Sequence, residues 1–318
     1  MRVIGRNHVP EMPDRILITG ASGFVGRHLT ATLATAFPGV TLCTPRFDVT
    51  DFAATADAVR IASPDSCVHL AAISTIAAAN ENQSLTWQVN LHGTLHLAHA
   101  LLRHAPDCQL IYASTTEAYG ASFRDAAMLD ESAPLAPLNL YAATKAAADL
   151  ALGALIGNGL RLVRPRPVNH TGPGQRMQFV VPAFARQVAR IAAGKQAPVI
   201  DVGNLEPMRD FLDVRDVCWA YVACMTQKDA LKPGAILNIA SGMPRRIGDI
   251  LEVLKEIAGV TAETRVDTTR ARANDVPTAC GNATRAHELL GWKPAIPWRQ
   301  TLRDVLDEWR DKIEIGMG

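Results

Sequence analysis

The 318-residue sequence predicts an α/β fold built on a doubly wound parallel sheet, followed by a smaller C-terminal lobe. Three observations support this prediction. Short apolar segments alternate with helical patterns through the first half of the chain. A glycine-rich turn separates the first strand from the first helix, and prolines and glycines cluster after Pro165. Alternating strands and helices imply right-handed crossovers, which place parallel strands in one buried sheet.

Short apolar runs predict the strands of the sheet, because buried parallel strands are apolar on both faces. In chain order they are residues 15–19, 40–44, 66–70, 109–114 and 160–164. Apolar residues at helical spacing predict a helix after each of the first four strands. These helices are residues 25–36, 52–62, 86–104 and 140–156. Each strand and helix together supply one crossover of the expected sheet.

The second half of the chain is predicted to leave this sheet and to return to it once. Pro165, Pro167, Gly172, Pro173 and Gly174 form a loop-rich exit. Helical patterns and one strand follow, at residues 181–193, 214–225, 236–239 (the strand), 247–257 and 298–312. The expected division is a leader at 1–14, a Rossmann-like domain at 15–170 to which 211–240 returns, and a smaller lobe at 171–210 and 241–318.

Composition argues against several classes of protein. Lys plus Arg is 32 and Asp plus Glu is 31, so the formal net charge is +1 and no basic excess indicates a nucleic-acid binder. Aromatic residues make up 5%, which disfavours a base-stacking surface. The six cysteines include no C-x-x-C pair, which favours small buried side chains in a reducing cytosol over a metal or disulfide role.

Neither a membrane span nor a signal peptide is predicted. No uninterrupted apolar stretch is long enough for a span, and residues 1–14 lack the apolar core of a signal peptide. We therefore expect a cytoplasmic protein with no metal, no nucleic-acid partner and no membrane partner.

The glycine-rich turn predicts a dinucleotide site. Gly20, Gly23 and Gly26 form G-x-x-G-x-x-G directly between the first strand and the first helix. Glycine lets the backbone turn tightly and approach a pyrophosphate, whose charge meets the helix N-terminus. The alternative is a plain tight turn, but this position in a strand–helix series favours nucleotide binding.

An arginine rather than an acid follows the second predicted strand. An acid about 20 residues beyond the glycine loop favours NAD, whereas an arginine favours the 2′-phosphate of NADP. Arg46 stands just after the strand and Arg27 borders the loop, so NADP is expected and NAD stays possible. Asp48 is expected at the adenine edge. The alternative is that Arg46 is a solvated surface side chain.

Tyr141 and Lys145 form a Y-x-x-x-K pair at the start of a predicted helix. A spacing of four places both side chains on one helical face. A lysine ammonium near a phenol favours the phenolate and lowers its pKa, which would make Tyr141 an acid–base for carbonyl–alcohol interconversion. Hydroxyls in the segment 114–120, after the fourth strand, would complete the group. The alternative is a chance surface pair.

These motifs together resemble the extended short-chain dehydrogenase/reductases that act on nucleotide sugars. The resemblance rests on the glycine loop, on His-Leu-Ala-Ala at 69–72, on Asn90, on Ser-Thr-Thr-Glu-Ala-Tyr-Gly at 114–120, and on Tyr141 with Lys145. It extends from Arg15 to about Trp309. The segments 168–175, 179–187, 202–216 and 291–294 resemble more specifically the GDP-4-dehydro-6-deoxy-D-mannose reductases, which form GDP-D-rhamnose.

The resemblance implies a role for each matching residue. The implied catalytic residues are Thr115, Tyr141, Lys145 and Glu117. The implied cofactor-binding residues are Gly20, Ser22, Gly23, Phe24, Val25, Arg46, Asp48, Val49, Leu70, Ala71, Ala72, Tyr141, Lys145 and Val168. The implied substrate-binding residues are Thr116, Asn169, Val180, Arg186, Arg209 and Arg272. Guanidinium groups suit a diphosphate, although each arginine has a surface ion pair as its alternative.

The activity implied is NAD(P)H-dependent reduction of the C4 ketone of a GDP-4-dehydro-6-deoxy-hexose to the GDP-6-deoxy-hexose. The alternatives on the same scaffold are a GDP-mannose 4,6-dehydratase and a nucleotide-sugar 4-epimerase, which regenerate their cofactor. Glu117 does not separate them, since the dehydratases use a glutamate here to remove the C5 proton. A non-catalytic nucleotide-binding regulator is a further alternative, disfavoured by the intact Thr115–Tyr141–Lys145 set.

The helices at 86–104 and 140–156 are both long and rich in alanine and leucine. In the resembling family such helices pair across a two-fold axis as a four-helix bundle, so a homodimer is expected. Four histidines recur along the first of them, namely His92, His96, His99 and His104. Since no acid or cysteine joins them at metal-binding spacing, we interpret them as helix-surface or interface residues.

Overall fold

The structure, a computed structural model, describes residues 12–126, 128–267 and 276–316. Arg272, predicted to bind substrate, lies outside these residues. The strands are β1 Arg15–Thr19, β2 Thr41–Cys43, β3 Ser66–His69, β4 Gln109–Tyr112, β5 Met128–Leu129, β6 Arg161–Pro167, β7 Asn169–Thr171, β8 Val199–Val202, β9 Met208–Asp213, β10 Ala235–Ile239, β11 Pro244–Arg246, β12 Glu263–Val266 and β13 Thr278–Gly281.

The helices connect these strands and cover the main sheet. They are α1 Phe24–Ala36, α2 Phe52–Ala62, α3 Ile76–Glu81, α4 Gln83–Trp87, α5 Thr94–His104, α6 Leu140–Ala154, α7 Val180–Ala192, α8 Val214–Thr226, α9 Ile247–Ala258, α10 Thr284–Leu290 and α11 Trp298–Glu314. A π-helical segment, Gln88–Gly93, joins α4 to α5. A 3₁₀ segment, Thr116–Arg124, follows β4.

Six parallel strands form the main sheet, in the order β10-β6-β4-β3-β1-β2. This confirms the predicted α/β fold with a parallel central sheet. β1 has β2 on one side and β3 on the other, so the strand order reverses there. Open α/β sheets bind ligands outside the carboxyl ends of the strands at such a point. The fold therefore directs attention to the residues that follow β1 and β3.

Alternating side chains of β1 build a core on each face of the main sheet. Ile16 and Ile18 belong to the cluster that includes Leu29 of α1 and Val217 of α8. Leu17, between them in sequence, belongs to the opposite cluster with Leu152 of α6. Successive strand residues point to opposite faces, so one apolar run serves both layers. Burying each such side chain contributes about 1.5–3 kcal/mol.

A second set of strands lies beyond the main sheet. Its order is β11-β9-β13-β5, with β7 also paired to β9. Val168 alone separates β6 of the main sheet from β7, so the chain passes directly from one sheet to the other. A separate apolar core packs α7, α9 and α11 together through residues such as Phe184, Leu251 and Leu306.

Element prediction is confirmed closely where local signals mark both ends of an element. The helix predicted at 52–62 is α2, whose first turn is capped by the Asp51 carboxylate accepting a hydrogen bond from Ala54 N at 3.0 Å. Ser63, at φ 42°, ends it in the left-handed conformation.

The helix predicted at 86–104 is present as an unbroken helical run in which α4, the π-helical segment and α5 follow one another without a gap. The prediction missed the change to π-helical hydrogen bonding over Gln88–Gly93. The Asn90 side chain in the π-helical segment accepts from Ile73 N at 2.8 Å and donates to Ile73 O at 3.0 Å. These tertiary bonds hold the wider turn against the loop that follows β3, and helical spacing in the sequence contains no record of them.

One stretch among the described residues, Leu140–Asn158, has the length and composition that could cross a membrane. It comprises α6 and the turn after it, and 39% of its most apolar window is buried. A core helix of a soluble protein meets the same criterion, so this finding is weak. Lys145 and Asp149 lie within this stretch and are both buried.

Candidate functional site

The site lies at the carboxyl edge of the main sheet, because all six strands end there. The edge carries the glycine loop after β1, residues 70–72 after β3, residues 113–116 after β4 and Val168 after β6. Neighbouring strands lie about 4.8 Å apart, so the span from β2 to β4 is about 14 Å. That span suits an extended dinucleotide, with one end near β2 and the other near β4.

The glycine loop meets residues 70–72 at close range. Gly20 has φ 70°, and a Cβ at this position would lie 2.7 Å from Ala71 N. A Cβ at Gly26 would clash with the Gly20 carbonyl oxygen. The loop closes through Gly23 N donating to Gly20 O at 2.9 Å, and α1 begins at Phe24. Only glycine fits both contacts, so the backbone forms a cradle that a pyrophosphate fits at a helix N-terminus.

The structure places the predicted loop residues around this cradle. Ser22 and Gly23 are exposed, while Phe24 and Val25 are half-buried. Arg27, which borders the loop, donates to Ser22 O at 2.8 Å and to Gly174 O at 3.0 Å. Its guanidinium therefore ties the glycine loop to the segment after β7.

Two charged residues, Arg46 and Asp48, follow β2, at the end of the sheet edge opposite to β4. Arg46 is exposed and forms no ion pair within the described part of the chain. Asp48 accepts from Thr50 N at 2.9 Å and from Thr50 Oγ1 at 2.8 Å, and these bonds lower the pKa of its carboxyl. Val49 is buried. Arg46 is thus available to an anion, whereas Arg27 is engaged within the fold.

Tyr141 and Lys145 lie one turn apart at the start of α6, which is capped by Asn139 accepting from Ala142 N at 2.8 Å. Lys145 is 4% exposed, and its Nζ lies 4.0 Å from the ring centroid of Tyr112 at the end of β4. Burial lowers the pKa of Lys145 to about 7, partly opposed by the Asp149 carboxylate. The helix therefore brings the pair to the end of β4.

The expectation that Tyr141 has a lowered pKa is wrong for this structure. Burial and the nearby Glu117 carboxylate raise the pKa of Tyr141, and a hydrogen bond with Thr115 only partly opposes them. Lys145 is itself desolvated, so its charge does not dominate at the phenol. Tyr141 therefore holds its proton at neutral pH, as a proton donor requires.

Two neighbouring hydroxyls after β4 have different partners. Ser114 donates to Asp149 Oδ2 at 2.6 Å. Thr115 Oγ1 accepts from Glu117 N at 3.1 Å, and the Thr115 side chain acts to lower the pKa of the Tyr141 phenol. Thr115 is therefore the hydroxyl that acts on Tyr141, whereas the Ser114 hydroxyl is used in a structural hydrogen bond to Asp149.

Glu117 lies beside this group without an ion pair in the described part of the chain. Its Oε2 accepts from Asn139 Nδ2 at 3.4 Å, and its charge acts on the Tyr141 phenol. Thr116, predicted to contact substrate, is 6% exposed and donates to Pro167 O at 3.3 Å, which ties the end of β4 to the end of β6.

The remaining predicted residues lie on the elements beyond β6. Val168 is buried and its N–H donates to Ile239 O at 2.9 Å. Asn169 begins β7 opposite Phe211 of β9 and is half-buried.

Val180 and Arg186 lie half-buried on α7. Arg209 of β9 is 9% exposed and donates to Met208 O at 2.7 Å.

Sequence reasoning missed the charged network that supports the site. Asp149, one turn after Lys145 on α6, accepts from Arg166 at 2.9 and 3.0 Å and from Arg164 at 3.1 Å. Arg166 also donates to the Tyr119 hydroxyl at 3.1 Å. The spacing of four from Tyr141 to Lys145 to Asp149 was the available signal, since all three share one helical face.

The fold and the site together define a Rossmann-type dinucleotide-binding protein with a Thr–Tyr–Lys group at the end of its fourth strand. The chain belongs to the NAD dependent epimerase/dehydratase family, whose model matches residues 16–240.

Relatives resemble the chain over nearly its full length. The "GDP-6-deoxy-D-mannose reductase" of Pseudomonas aeruginosa is 37% identical over 305 residues, covering 95% of this chain and 99% of the relative. The "GDP-6-deoxy-D-talose 4-dehydrogenase" of Aggregatibacter actinomycetemcomitans is 27% identical over 283 residues, covering 87% and 91%. The solved structure of RMD from Pseudomonas aeruginosa complexed with NADPH has a TM-score of 0.86 at 36% identity, covering 94% of this chain and 99% of that one.

Proposed function

We propose that the protein uses NAD(P)H to reduce the C4 ketone of a GDP-4-dehydro-6-deoxy-hexose to a hydroxyl. NADPH is the preferred reductant in this proposal. The observation that carries this proposal is the 37% identity, over 99% of its length, to a GDP-6-deoxy-D-mannose reductase. The geometry of Thr115, Tyr141 and Lys145 supports it, since these residues gather at one end of a dinucleotide-sized span.

The chemistry that NADPH supplies when bound is hydride donation to C4. Tyr141 gives its phenolic proton to O4 as negative charge develops there, so the ketone gains one hydride and one proton. Thr115 hydrogen-bonds the same oxygen and aligns it with the phenol. Lys145 would hold the nicotinamide ribose and would stabilise the phenolate that remains on Tyr141.

The cofactor would lie along the carboxyl edge of the main sheet. The cradle made by Gly20, Gly23 and the start of α1 suits the pyrophosphate, and residues 70–72 line its path. Arg46 would pair with the 2′-phosphate and Asp48 would approach the adenine. Val168 would contact the nicotinamide.

The GDP-linked substrate would occupy the region where β7, β9 and α7 adjoin the main sheet. Asn169 would lie near the diphosphate, and Arg209 and Arg272 would bind the diphosphate or nucleoside through guanidinium forks. Val180 and Arg186 would line the nucleoside side, with Thr116 beneath the sugar. This assignment corresponds to a nucleotide-sugar lobe at 171–210 and 241–318, with 15–170 and 211–240 forming the dinucleotide domain.

We also infer a cytoplasmic homodimer formed through a four-helix bundle of α5 and α6 from each subunit. Exposed apolar side chains on this side of the molecule support the inference. Leu150 of α6 is 61% exposed, and Leu85 of α4 is 41% exposed. Burying such side chains against a second copy removes apolar area from water.

The dehydratase is the second candidate, favoured by one observation. Glu117 lies close enough to Tyr141 to raise the pKa of its phenol, so a base is present beside the sugar position. A dehydratase would begin from GDP-mannose by removing the C5 proton and would show no net consumption of NADPH.

The direct test supplies the purified protein with NADPH and GDP-, UDP-, dTDP- or CDP-linked 4-keto-6-deoxy sugars. We expect NADPH oxidation with the GDP form and a product of D-manno configuration at C4, assigned by NMR. A product of D-talo configuration at C4 would instead match the sugar named for the Aggregatibacter actinomycetemcomitans relative. No NADPH oxidation, with conversion of GDP-mannose to a 4-keto sugar, would replace the reductase proposal with the dehydratase.

A further inference from the structure

We propose that Tyr112 is a positioning residue whose ring face holds the Lys145 side chain in its charged form beside Tyr141. This inference rests on the proposed function, because it concerns the lysine of the same catalytic group. Tyr112 touches neither of the predicted reactants and would act through Lys145.

The contact between the two residues is direct and buried. Lys145 Nζ lies 4.0 Å from the centroid of the Tyr112 ring, well within the ~6 Å over which a ring quadrupole attracts a cation. Tyr112 is 0% exposed and Lys145 is 4% exposed, so water does not screen the attraction. The Tyr112 hydroxyl also donates to the Lys145 backbone oxygen at 3.3 Å. One phenol thus contacts both the ammonium and the backbone of the same lysine.

The ring itself is fixed by the phosphate-binding side of the sheet. The His69 ring of β3 stacks on Tyr112 with centroids 6.1 Å apart. His69 is held on both sides, with its Nδ1 at 2.6 Å from Thr19 Oγ1 and its Nε2 at 2.9 Å from Thr94 Oγ1. Thr19 is the last residue of β1, immediately before the glycine loop. The platform under Lys145 is therefore anchored to the strand that carries the cofactor cradle.

The other ionisable groups around Lys145 do not replace this platform. Asp149 lies one turn further along α6, but its carboxylate is shared between Arg164, Arg166 and the Ser114 hydroxyl. No carboxylate forms an ion pair with Lys145 within the described residues.

Three further ionisable groups face the same region, namely His69 of β3, Tyr141 of α6 and Glu117 of the 3₁₀ segment. Burial lowers the pKa of His69 to about 3, so this ring is neutral at pH 7. Tyr141 keeps its proton, because burial and Glu117 raise the pKa of its phenol. The Tyr112 ring face is therefore a favourable partner for the Lys145 ammonium. Among the described residues, no other cation lies over this ring.

The pKa of Lys145 is lowered towards neutrality, so an attraction that favours the ammonium changes how much of it is charged. Burial lowers the pKa of Lys145 to about 7, which leaves both forms populated at neutral pH. Removing the ring face takes away a stabilisation of the ammonium only, since a neutral amine gains little from the quadrupole. The pH at which Lys145 loses its proton should then fall.

The test measures this pH directly by NMR of protein labelled with ¹³C at the lysine Cε, with the Lys145 signal assigned by its loss in Lys145→Arg. Tyr112→Phe keeps the ring face and removes only the hydroxyl, so it should titrate within about 0.3 unit of wild type. Tyr112→Leu keeps an apolar side chain without the face and should titrate about one unit lower. An unchanged titration in Tyr112→Leu would overturn the proposal.

A graded series keeps the test decisive where Tyr112→Leu does not fold. Phenylalanine with zero, two or five ring fluorines at position 112 keeps the ring shape while first weakening and then reversing its quadrupole. We expect the Lys145 titration to move stepwise downward across the series, and equal values would refute the role of the ring face. A merely structural role would lower the thermal unfolding temperature without this trend.

This experiment separates the proposal from the function on which it rests. The NMR titration needs no substrate, so it decides the role of Tyr112 even where no 4-keto sugar is reduced. Where reduction is observed, kcat/KM should begin to fall at a lower pH in Tyr112→Leu than in Tyr112→Phe. Near pH 6 the two variants should differ by less than about twofold.

Discussion

Ser114 and Asp149 are joined by a hydrogen bond of 2.6 Å from the serine hydroxyl to Oδ2 of the carboxylate. This bond explains why the adjacent hydroxyls of Ser114 and Thr115 have different roles. Ser114 fixes the end of β4 to α6, which leaves Thr115 to face Tyr141. Two arginines of β6 converge on the same carboxylate, so one buried charge aligns three elements at the site.

Asp149→Asn should destabilise the protein by about 3–5 kcal/mol. The change keeps the shape but leaves the buried Arg166 and the half-buried Arg164 without their shared anion, which is costlier than losing the attraction alone. Urea unfolding measures the effect. The control is Asp107→Asn, which removes an exposed ion pair to Arg161 and should cost less than about 1 kcal/mol. Equal losses in the two variants would mean that the network around Asp149 contributes no special stability.

Tyr141→Phe should lower kcat by about 10²–10⁴-fold while leaving NADPH affinity near that of wild type. The ring still packs at the start of α6, but the transferable proton is gone. Steady-state rates and fluorescence titration of NADPH give the two quantities. Turnover close to wild type in this variant would remove Tyr141 from the mechanism.

Arg46→Ala should weaken NADPH binding by about 10–100-fold and NADH binding far less. A 2′-phosphate facing the guanidinium loses a charge-assisted hydrogen bond of about 1.5–3 kcal/mol. Arg60→Ala is the matched control, since Arg60 is also an exposed arginine but pairs with Asp57 on α2. Equal losses for NADPH and NADH would place Arg46 away from the 2′ position.

Glu117→Gln separates a reductase from a dehydratase. Reduction of a 4-keto sugar breaks no C–H bond of the sugar, so this variant should keep its rate within about tenfold of wild type. In a dehydratase the same change removes the base for C5 and should nearly abolish formation of the 4-keto sugar. We also expect wild type to leave GDP-mannose unchanged. Dehydration of GDP-mannose by wild type, stopped by Glu117→Gln, would contradict the reductase.

Stability should depend on His69 in mildly acid solution. Burial lowers the pKa of His69 from 6.5 to about 3, so between these values the unfolded state binds more protons than the folded one. Stability therefore rises with pH across this window and is lost on acidification, by up to about 1.4 kcal/mol per pH unit from this residue. His69→Gln should flatten the dependence between pH 6 and 4, measured by urea unfolding.

The sequence predicts those parts of the protein whose causes are local. The glycine loop and the helix α2 carry their turn and capping residues within a few positions, so both were predicted closely. The Tyr141–Lys145 pair was likewise found from one helical turn.

The rest depends on residues far apart in the chain. Asp149 meets Arg166 only because α6 packs beside β6, and the raised pKa of Tyr141 comes from burial and from Glu117, 24 positions away. The short strands β5, β7 and β13 were missed because their pairing, rather than an apolar period, defines them. Propensity and spacing do not record such contacts.

The Gly174 carbonyl oxygen accepts from Arg27 of α1 at 3.0 Å, and the Gly174 N–H donates to Glu308 of α11 at 2.7 Å. α11 is therefore connected, through the two backbone groups of Gly174, to Arg27 beside the turn that would receive the cofactor. Coupling between two sites is reciprocal in free energy. Binding that stabilises the turn would then stabilise α11 against unfolding, and a change that destabilises α11 would weaken nucleotide binding. A change near the C-terminus, more than 280 positions from Gly23, would thus be felt as a change in coenzyme affinity.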